Sequence, residues 1–513
     1  MKKGVIINSD SDGALWYIGR DDALPTTAQD IIDFAKDFGG SGVTDYFINV
    51  AGDRLAFPSD KYEDILDKYH QKIENGEPVD YSNSVIFKSA HIVYEELGLD
   101  PNALMIQGFR EAGINPWLSF RMNDFHDRRP ETKTSGCFSN FYHEHPEYYL
   151  SHLPPRFAAT FRDRAYNYAL EAVREHMLGL MEESLERYDC YGIELDFQRE
   201  ACLFPYGMEY DGIEIMNGFM RKVKELLKKF EEKYGHEFKV AVRVPSEIQT
   251  CFDFGMDVVQ WVRDGLVNVV IPTSRWATTD FDIPVKLWAN LIKPLGGILA
   301  PGVEYRIMPC DDSEMVTHNL ETFAAFAANA YAQGADRIYY YNFFRSNLHD
   351  RFNKTTDYDT DPTKPIQNLD IYWSFINITA DPDLVQKVNR RHIVSYKDKF
   401  APWEHIYPAL QIPVVTERTC GFKLFVGDIP ENAELTLKIG VKETEKAIAN
   451  PPWIFVNECE CPYVGTFDDD RFAKGTVLCY TIPKQAHSKM ICPRIGVTEK
   501  TEIRYVEVYV KVQ

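Results

Sequence analysis

Up to about residue 345 the chain alternates short β-branched apolar runs with stretches whose apolar positions recur at helical spacing. Val5-Ile6-Ile7 opens the first run, and a helix over 31–38 follows the cap-like pair Thr26-Thr27. DYFINV at 45–50 is the second run. A helix over 104–112 leads into PWLSFR at 116–121, the third. Over 165–188, Tyr166, Leu170, Val173, Met177, Leu180 or Met181, and Leu185 form one stripe, which predicts a long amphipathic helix. YGIELD at 191–196 and FKVAVRV at 238–244 are the fourth and fifth runs, with a helix over 216–233 between them. A short helix over 258–264 precedes VNVVI at 267–271, the sixth. A helix over 284–293 precedes the seventh, which runs from 297–300 on to Glu304. A helix over 320–333 precedes RIYYY at 337–341, the eighth.

Eight β-runs separated by helices predict parallel strands joined by crossovers, and eight is the number that closes a (β/α)8 TIM barrel. An open doubly wound sheet is disfavoured, because no G-x-G-x-x-G follows the first run. Beyond 399 the pattern changes. Runs at 422–426, 433–439, 477–482 and 504–512 alternate apolar and polar residues between Pro and Gly turns, which predicts an antiparallel β-sandwich. The expected division is an α/β barrel over 1–398 and a sandwich domain over 399–513. The polar segment 347–365 reads as a long loop over the barrel.

Composition narrows the function. The 513 residues carry 56 Lys and Arg against 77 Asp and Glu, a net charge of −21. That balance argues against nucleic-acid or anionic-membrane partners, which need a basic face. No apolar stretch approaches the length of a membrane span, and the N-terminal run is too short for a signal sequence, so a cytoplasmic location is expected. The ten cysteines are ordinary usage for this length. Cys459 and Cys461 have no partner pair at zinc-ligand spacing and read as reduced thiols.

In a barrel of this kind chemistry gathers where the strands end, so polar residues just past each run are the candidates. They are Asn8, Asp10 and Asp12; Asn49; Arg121, Asn123, Asp124 and His126; Glu194, Asp196 and Arg199; Arg243; Glu304; and Asn342. Each has a plainer reading. Glu194 and Asp196 face the same way and with Arg243 could form an interior ion network. Asp12 before Gly13 could shape a turn, and His126 could be an ordinary loop histidine. Arg121 and Arg199 could pair with Asp124, Glu194 or Asp196. Two arginines at one pole of so acidic a protein nevertheless suggest an anionic ligand. With no Walker motif or acidic magnesium cluster, a carboxylate is preferred to a phosphate.

The segment FRDRAYNYALEAVREHMLGLMEESLERYDCYGIELDFQR at 161–199, together with SFRMNDFHD at 119–127, resembles bacterial glycoside-hydrolase-like barrels. In arrangement the chain is similar to glycoside hydrolase family 156, inverting exo-α-sialidases with a (β/α)8 barrel and a C-terminal β-domain. The resemblance implies a catalytic Asp after the first strand and a catalytic His after the third, which fall on Asp10 (or Asp12) and His126. It also implies substrate contacts at Arg121, Arg199 and Asn342, with Asp12 beside them. The expected substrate is a sialylated glycan or another acidic-sugar glycoside.

Chemistry fits that assignment. A carboxylate nucleophile would be repelled by the carboxylate that sialic acid carries on its anomeric carbon, whereas inversion needs only a base that activates water. Asp10 is ionised at neutral pH and can accept the proton; His126 can be protonated and donate to the leaving oxygen. The two roles could be exchanged. Arg121 and Arg199 would hold the carboxylate, and Asn342 a hydroxyl or amide. No metal or cofactor is required. The alternatives are a retaining glycosidase using Glu194 and Glu304, or a carbohydrate-binding barrel without turnover. The C-terminal domain could bind sugar, cap the barrel or form a homodimer interface.

Overall fold

The computed structural model describes residues 3–10, 27–76, 89–124, 139–150, 164–275, 278–309, 316–343, 369–395 and 412–513, without side chains at 10, 68, 369–371 and 469. Strands β1 (Val5–Asp10), β2 (Val43–Ala51), β3 (Asn115–Arg121), β4 (Gly192–Asp196), β5 (Lys239–Pro245) and β6 (Val269–Thr273) pair in sequence, all parallel. The seventh run is split. β7 (Ile298–Leu299) pairs with β6, and β8 (Gly302–Val303) pairs with β9 (Ile338–Tyr340). β9 returns to β1, and the seventh run, bonded to β6 through one half and to β9 through the other, completes the (β/α)8 barrel. The split falls at Pro301, which has no N–H to give the ladder. Its carbonyl still accepts from Tyr339 N at 3.0 Å, while Ala300 N donates to Val270 O at 3.0 Å. The seventh run thus hands its bonding from one neighbour to the other.

Strand periodicity sorts the barrel interior into layers. Ile6, Phe47, Trp117, Ala241, Val269, Ile271, Ala300 and Tyr339 fill the lower part as one apolar cluster. Gly192 makes room for it, because a Cβ there would lie 2.7 Å from the Trp117 ring. Toward the C-terminal ends the lining turns polar, with Asn8, Ser119, Glu194, Arg243 and Thr273 all buried. The opposite faces of the strands (Ile7, Ile48, Leu118, Ile193, Val242) join the surrounding helices in the main core.

The helices expected from the sequence pattern form near their places, the one over 165–188 departing most, and Asp67–Glu74, Ile248–Asp253 and Leu369–Thr379 come in addition. Ala28–Lys36 starts at Thr27, whose side chain accepts from Asp30 N in a capping box. Leu320–Gln333 lies where the Ala-rich stripe puts it. The stripe over 165–188 yields a helix only at Glu171–Arg187. Residues 165–170 bond elsewhere: Leu150 N donates to Ala165 O at 2.9 Å, Asn167 N to Tyr148 O at 2.8 Å and Tyr168 N to Leu203 O at 2.8 Å. Tyr166 is buried in the same core without being helical. No described helix is long and apolar enough to cross a membrane. The segment 347–365 lies outside the described residues.

Among the described residues the C-terminal region has two larger antiparallel sheets and a two-stranded one, Leu424–Phe425 with Met490–Ile491, around a second core of Leu435, Leu437, Ile454, Val456, Ile495 and Val508. The larger runs Arg390–Ile393, Thr501–Lys511, Glu434–Val441, Gly475–Ile482, Tyr463–Asp470, with Val414–Thr416 also on Thr501–Lys511. The smaller runs Thr419–Gly421, Pro493–Gly496, Trp453–Val456, Cys459–Glu460. The first strand of the larger sheet lies ahead of position 399, where the sequence pattern divides the chain. Its outer face docks on the barrel, where Tyr509 Oη donates to Glu321 Oε1 at 3.2 Å and Arg471 Nη2 to Thr317 O at 2.6 Å. Among the described residues every cysteine is a free thiol, Cys459 and Cys461 included.

Candidate functional site

The strand ends build two tiers of charge at the C-terminal pole of the barrel. The lower tier is sealed. Glu194 Oε2 accepts from Asn8 Nδ2 at 3.0 Å, and its Oε1 accepts from Tyr339 Oη at 2.7 Å. Burial pushes the Glu194 carboxyl up to about 7, with the nearby Asp196 charge adding to the effect. Arg243 spans the interior from β5. Its Nη1 donates to both Asp196 oxygens, at 2.9 and 3.1 Å, and its Nη2 to Glu304 Oε1 at 3.3 Å. The guanidinium carbon also sits 3.5 Å from the centre of the Tyr341 ring. Glu194 and Arg243 are 0% exposed, Asp196 and Glu304 1%. An interior ion network is present, but it joins Arg243 to Asp196 and Glu304, while Glu194 is held by Asn8 and Tyr339 instead.

Glu304 is fixed from outside the barrel as well. Its N–H donates to Thr279 Oγ1 at 3.1 Å, and the same hydroxyl contacts His318 Nε2 at 2.7 Å. His318 is fully buried, which holds its pKa well below the usual histidine value.

The upper tier forms the mouth. Arg121 closes β3, and its Nη1 donates to Asp124 Oδ2 at 3.2 Å. Arg199 follows β4, and its Nε lies 3.9 Å from Asp124 Oδ1. The β4 end is shaped by Asp196, whose Oδ1 accepts from Gln198 N and Arg199 N, each at 3.0 Å. Asn342 follows β9 with φ at 46°, a left-handed conformation that asparagine tolerates. Arg121 Nη2 reaches its Oδ1 at 3.5 Å. The three side chains Arg121, Asp124 and Arg199 keep 10%, 10% and 11% of their surface exposed, unlike the tier beneath.

Arg121, Arg199 and Asn342, each from a different strand end, are thus brought together, with Asp124 between the two arginines. Asp10 is the last residue of β1 and stands in register with Asn49 of β2. Asp12 and His126 lie outside the described residues. Of the three carboxylates that the plainer reading offered the arginines, both reach Asp124. Glu194 and Glu304 do not belong to this tier.

One participant is missing from the strand-end reading. Tyr341 is 1% exposed, its hydroxyl has no hydrogen-bond partner, and burial pushes it up to about 12 against the lowering pull of Arg121, Arg199 and Arg243. Alternation would have found it. In RIYYY the residues of one parity, Tyr339 and Tyr341, face into the barrel, while Tyr340 packs outward against Thr379.

No family model and no curated protein matches the chain. Among solved structures it is similar to a glycoside hydrolase family 18 N-acetylglucosaminidase from Paenibacillus barengoltzii, with 10% identity over 66% of this chain and 94% of that one, and a TM-score of 0.33. It is similar also to the maltogenic α-amylase AmyB from Thermotoga neapolitana, with 10% identity over 98% and 99% and a TM-score of 0.35. An α-amylase from Geobacillus thermoleovorans gives 10% identity over 99% and 98%, again at 0.35. Likeness at this level decides neither substrate nor chemistry, and the fold stands on the strand order itself.

Proposed function

We propose that the chain is a glycoside hydrolase that removes a terminal acidic sugar, an exo-sialidase working with inversion. The observation that carries this reading is the mouth tier: Arg121 and Arg199, from two different strand ends, converge on Asp124, with Asn342 beside Arg121. Two guanidiniums from different strand ends gather there in an otherwise acidic protein. An incoming carboxylate would take charge-assisted, forked hydrogen bonds there. Asn342 offers an amide suited to a hydroxyl or acetamido group.

In this reading Asp10, at the end of β1, is the general base that activates water, and His126 is the general acid toward the leaving oxygen. The clamp fixes the sugar so that the anomeric carbon faces both groups. Asp124 holds the two guanidiniums in place before substrate arrives, so little side-chain freedom is lost on binding. The sealed tier below supports the strand ends and takes no part in bond cleavage.

The retaining alternative is weaker on geometry. A raised carboxyl such as Glu194 suits a general acid, but Glu194 and Glu304 are 0% and 1% exposed and are committed to Asn8, Tyr339 and Arg243. The test is release of aglycone from a panel of aryl glycosides comprising sialosides, glucuronides and neutral hexosides. Faster release from the sialoside than from any neutral hexoside supports the proposal; preference for a neutral hexoside contradicts it.

A further inference from the structure

A second cluster lies in the crossover between β2 and β3, apart from the mouth tier. His70 stands on the helix Asp67–Glu74, and His91 immediately precedes a π-helical turn at Ile92–Glu96. Glu95 is shared between them. His70 Nε2 lies 2.8 Å from Glu95 Oε1 and 3.0 Å from its Oε2, and His91 Nδ1 contacts Oε2 directly. One ligand atom from each of the three residues can be chosen so that all lie within 4.8 Å of one another.

Two features go beyond a pair of surface ion contacts. The wider π turn, closed by Leu97 N donating to Ile92 O at 2.9 Å, sets both Glu95 and Glu96 against His91. Glu95 takes its Nδ1 side, while Glu96 Oε1 lies 3.4 Å from Nε2. A ligating imidazole whose far nitrogen is held by a carboxylate is the usual outer arrangement of a histidine metal ligand, because it fixes tautomer and ring orientation. Tyr69 fixes the ring further by stacking on it at 4.5 Å. The side chains of His70, His91 and Glu95 are 45%, 23% and 35% exposed, so an ion can enter and small rotations can adjust the donors.

We propose that His70, His91 and Glu95 form a binding site for a divalent transition-metal ion, with Zn2+ the best fit and Glu96 orienting His91. Two imidazole nitrogens and one carboxylate oxygen suit zinc, and hard oxygen-seeking ions such as Mg2+ and Ca2+ are poorly served by them. Water would complete the coordination. Bound metal would tie the helix Asp67–Glu74 to the turn Ile92–Glu96, a structural role separate from sugar cleavage. The spacing, His70 to His91 to Glu95, matches no compact motif, so the sequence gives no sign of it.

The test is equilibrium dialysis of the chelator-treated full chain against zinc sulfate, followed by a cobalt(II) absorption spectrum. Wild type is expected to bind about one equivalent. His91→Ala and the shape-preserving Glu95→Gln should each weaken binding at least about tenfold, the low end of what losing a residue that only orients a ligand costs. His145→Ala, which removes another exposed histidine beside a glutamate (His145 Nδ1 to Glu147 Oε1, 2.9 Å), should leave it unchanged. The cobalt spectrum should lack a thiolate charge-transfer band, which separates this site from the exposed Cys492. Absence of stoichiometric zinc, equal binding by wild type and Glu95→Gln, or a thiolate band would each overturn the proposal.

Discussion

Arg243 grips both oxygens of Asp196 from a position where neither side chain meets solvent, at 2.9 and 3.1 Å. The pair anchors β5 to β4 directly beneath the mouth, and the second arm of the guanidinium ties in Glu304. Replacing Arg243 by leucine would strand two buried carboxylates. Breaking such a pair from one side costs about 3–5 kcal/mol. Urea unfolding of Arg243→Leu should show a loss of that order, and a loss below about 1 kcal/mol would mean that water reaches the network.

The Glu194 carboxyl sets a pH dependence. Folded, it holds its proton until about pH 7, because burial and Asp196 disfavour its charge; its ordinary value is 4.5. Between those values the unfolded chain binds fewer protons than the folded one, so stability falls as pH rises and levels off above the folded value. Glu194→Gln removes this contribution. Asn8, whose Oδ1 has no partner, can accept from the new amide by turning its own. Thermal melts should show wild type losing more Tm than Glu194→Gln as pH rises from about 5 to about 8. Parallel curves would contradict the raised carboxyl.

Much of this architecture was legible in the chain, for identifiable reasons. Parallel barrel strands are buried on both faces and read as short apolar runs, so β1 to β6 stand out, and the eighth run shows as RIYYY. The broken seventh run was legible as one stretch, but its division at Pro301 depends on which neighbour each half meets. Arg121, Arg199 and Asn342 were visible because a polar residue at or just past a strand end is conspicuous. Tyr341 was visible only through the alternation in RIYYY, since an aromatic at a strand end otherwise looks like core. The early end of the helix periodicity at 165–170 was hidden because those backbone groups bond to Tyr148, Leu150 and Leu203, contacts that no local pattern carries.

Loss of acid or base assistance lowers turnover by about a hundredfold or more. Asp10→Ala and His126→Ala should each do so in steady-state assays on an aryl sialoside, with little change in Tm. An active Asp10→Ala beside an inactive Asp12→Ala would move the base by two residues. Full activity in all three variants would remove the proposed mechanism.

Stereochemistry distinguishes the two enzyme readings. Proton NMR early in hydrolysis of an α-sialoside should show the β anomer of sialic acid first. First appearance of the α anomer would mean retention.

The central claim is that Arg121 and Arg199 hold a carboxylate, and calorimetry tests it most directly. Lysine keeps the charge but loses the planar fork, so Arg121→Lys and Arg199→Lys should each weaken sialic acid binding by roughly 1.5–3 kcal/mol. The carboxyl-reduced analogue, with no anion to hold, should bind wild type far more weakly than sialic acid and should be nearly indifferent to either substitution. Equal affinity of wild type for sialic acid and its carboxyl-reduced analogue would contradict the clamp, and with it the acidic-sugar function.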